Sequence, residues 1–131
     1  YRNVSLIDIF PTLTELCSLP AKQGISGRSL VPLLESPNDE KWSHPVISMH
    51  SHNHFSIRKD DWHYILYDGG GEELYDLKAD PEEWTNLAEK NGYDRVIEEL
   101  KQHIPSERKP FVKTKPIRWA EVLSGETKFY E

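Results

Sequence analysis

The 131-residue sequence lacks the features that would tie it to a membrane or to an oxidising compartment. It contains a single cysteine, so no disulfide can form within the chain and the redox compartment stays open. Its longest apolar clusters, such as residues 30–34, are far shorter than the roughly 18 residues of a membrane-spanning helix. The sequence therefore predicts no membrane span.

Positive charge is also scarce. The chain has 16 Lys and Arg against 22 Asp and Glu, and its formal net charge is −6. General nucleic-acid binding normally needs a basic surface, so nucleic acid is not a predicted partner. Four Trp, six Tyr and four Phe provide enough apolar bulk for a folded core. The chain opens on Tyr1 without an initiator Met, and we expect it to be a piece of a longer protein.

Patterning in the middle of the chain predicts a small antiparallel sheet of about four strands. Short apolar, aromatic and β-branched runs are separated by the turn sequences Asp60-Asp61 and Gly69-Gly70-Gly71. An apolar stripe at helical spacing predicts an amphipathic helix, from about residue 93 to 104, that packs on one sheet face. The predicted fold class is α+β. The four predicted strands cover residues 46–50, 54–58, 62–67 and 73–77.

Further elements are predicted on either side of the sheet. Residues 4–7 are apolar enough for a short strand, residues 11–18 for a helix, and residues 27–34 for one helical turn. Asp80 followed by Pro81 is typical of a helix start. Three prolines predict an extended tail over residues 105–131, in which five basic residues outnumber the acidic Glu107 before residue 120.

Three histidines and an arginine are the candidate site residues. His50, His52 and His54 would share one face of an extended strand. They could hold zinc, form a polar loop that faces an anionic ligand, or lie on a sheet edge without a ligand. Arg58 can grip a carboxylate or sulfate through two parallel N–H bonds. It could equally pair with a carboxylate across the hairpin, from Asp60, Asp61 or Glu73.

Other patterns of catalytic chemistry do not occur. Gly69-Gly70-Gly71 is not followed by the Lys-Ser/Thr of a phosphate-binding loop, and no nucleophile-elbow motif is found. Cys17 lies on the apolar face of a predicted helix and is expected to be a small buried hydrophobe. The residues alone therefore predict a small α+β domain whose edge carries side chains able to bind an anion.

Three ordered stretches resemble the C-terminal part of the formylglycine-dependent sulfatases. Residues 4–13, VSLIDIFPTL, resemble the segment that follows the catalytic core in that family, and residues 27–34, GRSLVPLL, resemble the next element. Residues 57–65 and 73–88 resemble the C-terminal hairpin with its ELYDL…DPxExxNLA signature. The sequence around Trp84 and the end of the chain are most similar to iduronate-2-sulfatase-like members.

The resemblance implies an activity whose chemistry lies elsewhere. Sulfatases hydrolyse sulfate esters with a formylglycine, made from Cys or Ser in a C/S-x-P/A-x-R setting, and with a calcium ion in the N-terminal catalytic domain. Cys17 does not fit this setting, because Pro20 stands three residues on and no Arg follows at the fourth place. The pair Asp60-Asp61 lies in a predicted turn and does not match the calcium motif. We expect no catalytic residue, metal ligand or cofactor in this chain.

The resemblance also implies an organisation. Residues 1–36 would be a connecting segment with a helix from the edge of the catalytic domain, residues 37–104 the C-terminal subdomain, and residues 105–131 a tail. The expected partner is the N-terminal catalytic domain of the same parent chain. The helix over residues 11–18 and the turn over residues 30–34 should expose an apolar patch for it, which could also support a dimer.

A sulfated carbohydrate is the expected substrate of the parent. The sugar must be distinguished by groups placed around the sulfate, and His50, His52, His54 and Arg58 are the candidates for that part of the substrate pocket. The resemblance alone implies export to the periplasm or the cell exterior. Two other functions remain possible. One is a non-catalytic module for sulfated glycans, using His52, His54, Arg58 and the basic residues 113–118, and the other is a histidine-based metal hydrolase.

Overall fold

The computed structural model describes residues 2–51 and 53–107. The chain begins with a 3-10 turn, Leu6–Asp8, which continues into helix α1, Ile9–Leu16, and a short helix α2, Val31–Glu35, follows. Four strands then form one antiparallel sheet in the order β1-β2-β3-β4. Helix α3, Asp94–Lys101, comes after the sheet. The strands are β1 Val46–Ser51, β2 His54–Lys59, β3 Trp62–Leu66 and β4 Glu72–Asp76.

The core lies between the sheet and helix α3, as the α+β prediction requires. Ile57 pairs with Tyr64 and Tyr64 with Leu74, so these three side chains form a row across strands β2, β3 and β4. All three are fully buried and cluster with Ile97 and Leu100 of α3. The apolar stripe of the predicted helix is therefore confirmed as the surface that packs on the sheet. This apolar stripe occupies one face of α3, and the opposite face of the helix is charged.

The N-terminal turn corrects the prediction of a strand over residues 4–7. The Asp8 carboxylate accepts the N–H of Ser5 at 2.8 Å, and the Ser5 carbonyl accepts the N–H of Asp8 at 3.0 Å. These two bonds close a 3-10 turn, because the short acidic side chain competes with a strand partner for the backbone donor. Asp8 also accepts the N–H of Arg28 at 2.8 Å and is itself buried.

The stretch GRSL, residues 27–30, is docked on this turn and on α1. A Cβ atom at Gly27 would lie 2.1 Å from the carbonyl oxygen of Ile7, so only glycine fits there. The hydroxyl of Thr12 accepts the N–H of Leu30 at 2.8 Å and donates to the Asp8 carbonyl at 2.6 Å. The sequence motif thus serves to fasten the segment before α2 against the start of the chain.

Two further sequence predictions are wrong. Residues 80–92 form turns instead of a helix, because Glu83 adopts a left-handed backbone with φ of 58° and interrupts any right-handed run. Cys17 is exposed and not buried. It lies just past the end of α1, and most of the apolar side chains of that helix are also exposed to solvent. No helix within the described part of the chain is long and apolar enough to span a bilayer.

Candidate functional site

The sheet face opposite helix α3 is polar and aromatic. Since side chains alternate along a strand, His54, Ser56 and Arg58 of β2 point away from the face that carries Ile57. The register of the sheet sets neighbours beside them on β3 and β4, because Arg58 pairs with His63, and His63 with Tyr75. We call this surface the polar face, and its members are His54, Ser56, Arg58, His63, Ile65, Tyr67, Glu73 and Tyr75.

One carboxylate organises the end of the polar face near the β2–β3 turn. Glu83 accepts a hydrogen bond from the Arg58 guanidinium at 2.7 Å, and its other oxygen lies 2.9 Å from Nδ1 of His63. Nε2 of His63 lies 2.8 Å from the Ser56 hydroxyl. His63 is buried, whereas the Arg58 side chain is 45% exposed. Because a buried imidazole needs partners for both ring nitrogens, Glu83 and Ser56 together fix its orientation.

Glu83 belongs to a loop that is held at several points. We call residues 77–88 the signature loop, because they include the DPxExxNLA motif. The N–H of Leu77 donates to the Asp61 carbonyl at 2.7 Å, and the Asp80 carboxylate accepts the N–H of Thr85 at 2.7 Å. The Asn86 side-chain oxygen accepts the N–H groups of Leu74 at 3.0 Å and Ala88 at 2.9 Å. The Glu and Asn of the motif thus anchor the loop to the sheet, and the Asp closes the loop on itself.

The opposite end of the polar face carries histidine and tyrosine rings. His54 lies against Tyr67, with ring centroids 4.8 Å apart, and against His50, with centroids 5.5 Å apart. The Ser51 hydroxyl donates to the Asp68 carboxylate at 2.6 Å and ties the two hairpin ends together. A shift in register between Met49 and Ser51 re-aims this part of β1. We call His50, His54 and Tyr67 the histidine corner; His52 lies outside the described residues.

The predicted site residues therefore fall into two separate clusters. His50 and His54 belong to the histidine corner, and Arg58 belongs to the Glu83 cluster at the other end of β2. The carboxylate partner of Arg58 is Glu83, 25 residues along the chain, and none of the three nearby carboxylates considered from the sequence. The Arg58 guanidinium also lies 3.2 Å from Nδ1 of His63. Glu83 was missed because no periodicity links a loop residue to a strand; the signature motif was the available signal.

The centre of the polar face holds a hydrogen-bonded tyrosine. The Tyr75 hydroxyl donates to Glu73 at 3.0 Å, and the ring of Tyr75 is buried beside His63. Burial, followed by the hydrogen bond and the negative charge of Glu73, raises the pKa of Tyr75 to about 12. Both effects disfavour the phenolate, so the hydroxyl remains a donor well beyond the usual range of tyrosine.

We expect this shift to make the fold sensitive to alkali. The neutral phenol is favoured in the folded state, so the contribution of Tyr75 to stability is fully present below its ordinary pKa of 10.0 and is lost as the pH rises towards about 12. The measurement is urea unfolding at several pH values across that window. Tyr75→Phe should flatten part of the fall, since Tyr64 is also buried and its pKa is also raised. An unchanged pH profile in Tyr75→Phe would contradict the assignment.

The described residues do not fit the calcium or formylglycine of a sulfatase. Within residues 2–51 and 53–107 there is no group of three His, Cys, Asp or Glu side chains that could hold a metal ion. The histidine corner supplies two imidazoles and a phenol, which is a poor set for calcium because that ion prefers oxygen ligands.

The first part of the chain exposes an apolar surface, as the sequence predicts. α1 and the residues around it leave large side chains in solvent, and the same is true of α2 at Leu34. Surfaces of this extent usually mark contact with another protein or domain. We call this surface the apolar segment, and its exposed members are Leu6, Ile7, Ile9, Phe10, Leu13, Leu16, Leu19, Ile25 and Leu34.

Comparison with known proteins gives the same family from sequence and from structure. The family model for the C-terminal part of N-sulphoglucosamine sulphohydrolase matches residues 2–110. Arylsulfatase K of Gallus gallus is 33% identical over 141 aligned residues, which cover 92% of this chain and 26% of that protein. A delta 4,5-hexuronate-2-O-sulfatase of Bacteroides thetaiotaomicron is 33% identical over 102 residues, covering 71% of this chain and 21% of that protein.

Solved structures share the fold. A protein in complex with its substrate D-glucosamine-2-N,6-O-disulfate superposes with a TM-score of 0.59 at 32% identity, covering 72% of this chain and 22% of that one. A phosphonate monoester hydrolase of Agrobacterium radiobacter superposes with a TM-score of 0.62 at 28% identity, covering 77% and 24%. The chain thus spans about a quarter or less of the length of these relatives. By its family match, the chain belongs to the N-sulphoglucosamine sulphohydrolase C-terminal family of the sulfatases.

Proposed function

We propose that this chain is the C-terminal subdomain of a sulfuric ester hydrolase, and that it acts by packing on a catalytic domain and shaping the substrate pocket. The observation that carries the proposal is the match of residues 2–110 to the sulfatase C-terminal family, combined with much longer relatives, of which the aligned part covers 26% and 21%. In this proposal residues 1–36 connect to the catalytic domain and residues 37–104 form the subdomain. The formylglycine and the calcium ion belong to the catalytic domain.

The apolar segment supports the packing part of the proposal. Its helix buries Thr12 and Thr14 towards α2 and leaves Leu13 and Leu16 in solvent, which is the reverse of an ordinary surface helix. Covering these side chains with the catalytic domain would remove a large apolar area from water, at about 25 cal/mol per Å². A dimer of the isolated chain through the same surface stays a prediction, which light scattering can test.

The polar face supports the second part of the proposal, that the subdomain shapes the substrate pocket. Chemistry on a sulfate group is alike in every ester, so discrimination must come from groups that contact the sugar. The histidine corner supplies hydrogen-bond donors and acceptors on a rigid sheet, and Arg58 supplies an exposed guanidinium next to a carboxylate. The hexuronate-2-O-sulfatase among the relatives favours a sulfated uronic acid as substrate, in line with the iduronate-2-sulfatase-like resemblance. We retain export to the periplasm or the cell exterior as part of this proposal.

The experiment uses the longer protein, encoded together with its upstream residues. We expect it to release sulfate from a 2-O-sulfated unsaturated uronic disaccharide, and the 131-residue chain alone to release none. His54→Ala in the longer protein should raise KM for the disaccharide roughly fivefold, with turnover of a small aryl sulfate unchanged, because it removes a sugar contact only. Equal loss on both substrates would indicate damage to the fold.

A matched control comes from the histidine that lies away from the polar face. The ring of His44 contacts Trp42, with centroids 4.8 Å apart, near the N-terminal residues. His44→Ala should leave KM for both substrates unchanged. Turnover of the disaccharide by the 131-residue chain on its own would overturn the proposal. The alternative of a free-standing glycan module would use His54 and Arg58 together with His52 and residues 113–118, and the last two lie outside the described part of the chain.

A further inference from the structure

Trp84 is the most exposed of the tryptophans that the structure describes. Its side chain is 84% exposed, whereas Trp42 is 8% exposed and Trp62 packs against the core. Leaving an indole in water forgoes the largest burial gain that a side chain can offer. Single exposed apolar residues are common, so exposure alone identifies nothing. What distinguishes Trp84 is the backbone that presents it.

The backbone on both sides of Trp84 is fixed. Glu83 has a left-handed φ of 58°, and its side chain is held inward by Arg58 and His63. The following residue, Thr85, donates its N–H to Asp80 at 2.7 Å. A non-glycine residue keeps such a conformation only where its surroundings impose it, and such positions concentrate at functional sites. The inward turn of Glu83 directs the next side chain outward, so the loop holds an indole in solvent on a rigid base.

We propose that Trp84 is a stacking platform for one pyranose ring of a carbohydrate, a choice of ligand class that rests on the proposed function. The C–H groups on one face of a pyranose are apolar and flat enough to cover an indole. A rigid aromatic side chain loses little conformational entropy on binding, so a single stacking contact can contribute measurably to the affinity. Arg58 is 45% exposed and is bonded to Glu83, the residue before Trp84.

The charges around Trp84 define which sugar unit fits. Glu82 is exposed directly before the Glu83–Trp84 pair, and Asp80 and Glu83 are already engaged within the loop. A free carboxylate accepts hydrogen bonds from hydroxyl groups and repels a sulfate. The ring that stacks on Trp84 is therefore one that bears hydroxyl or acetamido groups and no sulfate. The ligand is an oligosaccharide with at least one unsulfated unit.

The test follows the tryptophans individually in the 131-residue chain labelled with 5-fluorotryptophan. The probes are a desulfated, N-acetylated heparin oligosaccharide and a fully sulfated one of the same length. We expect the ¹⁹F resonance of Trp84 to shift saturably with the desulfated probe, and more weakly with the sulfated one. Trp84→Ala should weaken binding by roughly tenfold, and Trp84→Phe should retain part of it, because a ring remains.

Controls separate stacking from other outcomes. Leu19→Ala removes an exposed apolar side chain of the apolar segment and should bind the probe like the unmodified chain. The proposal would be overturned if Trp84→Ala bound the desulfated probe as tightly as the unmodified chain does. It would also be overturned if the Trp84 resonance of the unmodified chain showed no saturable shift with either probe. A third contrary result would be that iodide fails to quench the fluorescence of Trp84 in the longer protein without sugar. Trp84 would then lie in a contact between domains. Sulfate release by that protein is measured separately, so failure here leaves the proposed function standing.

Discussion

Leu100→Ala is expected to lower the free energy of unfolding by about 3 kcal/mol, within the usual range for a buried leucine. Leu100 is 2% exposed and packs with Ile97 against the row formed by Ile57, Tyr64 and Leu74. Truncation removes contacts from both the helix and the sheet, and the paired strands limit how far the site can collapse. The measurement is urea unfolding followed by far-UV circular dichroism, with the slope against denaturant compared between variants.

The matched control is Leu16→Ala in helix α1. Leu16 is 56% exposed, so its truncation should change the free energy of unfolding by less than about 0.5 kcal/mol. The contrast distinguishes two kinds of apolar surface that look alike in the sequence. Leu100 is part of the core between the sheet and α3, whereas Leu16 is left in solvent by the described residues. A loss from Leu16→Ala as large as that from Leu100→Ala would show that the apolar segment is already covered, for instance in a dimer.

Removing the Glu83 carboxylate should give the second large effect, about 2 kcal/mol for Glu83→Ala. The substitution removes the carboxylate at 2.9 Å from Nδ1 of the buried His63, which then keeps only the Arg58 guanidinium at 3.2 Å. It also breaks one of the links between the signature loop and the sheet. The Arg58 pair contributes less, under about 1 kcal/mol, because that guanidinium is partly exposed and screened by water. The measurement is the same urea unfolding, extended to double-mutant cycles with His63→Ala and Arg58→Ala.

Glu83→Gly separates the backbone from the side chain at this position. Both substitutions remove the carboxylate, but glycine adopts a φ of 58° without strain. We therefore expect Glu83→Gly to be more stable than Glu83→Ala by about 1 kcal/mol. The coupling energy should be larger with His63 than with Arg58. If Glu83 coupled to neither residue, the loop would be held by its other hydrogen bonds, such as those of Leu77 and Asn86, and the role given to Glu83 would be wrong.

The two predictions test two different parts of the fold: the core under the sheet and the cluster that holds the signature loop. The core around Leu100 makes the sheet rigid, and a rigid sheet is what allows the histidine corner to keep its geometry. The Glu83 cluster positions the loop that carries Trp84. The same fold occurs in a phosphonate monoester hydrolase, so the subdomain is compatible with more than one kind of ester. In the proposed function, side chains on the surface of the subdomain contribute to the choice of substrate.

The sequence by itself determined the strands, the helix that covers them and the family. Period-2 alternation and glycine turns are local signals, so β1 to β4 were predicted to within about two residues. The apolar stripe over Val96, Ile97 and Leu100 likewise fixed which side of α3 meets the sheet. The exposed patch on α1 followed from the resemblance to a longer protein. These features depend only on near neighbours in the chain, or on a motif.

Tertiary structure decided which side chains meet. Arg58 and Glu83 are 25 residues apart, and the sheet register together with one left-handed residue brings them within 2.7 Å. The same register divides the predicted site residues between two ends of β2, since His54 and Arg58 share a face but lie four residues apart. Asp80 is a good helix start by local rules, yet its carboxylate closes a turn because Glu83 is drawn inward. Long-range pairing of this kind overrides local preference, because a buried histidine must be satisfied wherever its partner lies in the chain.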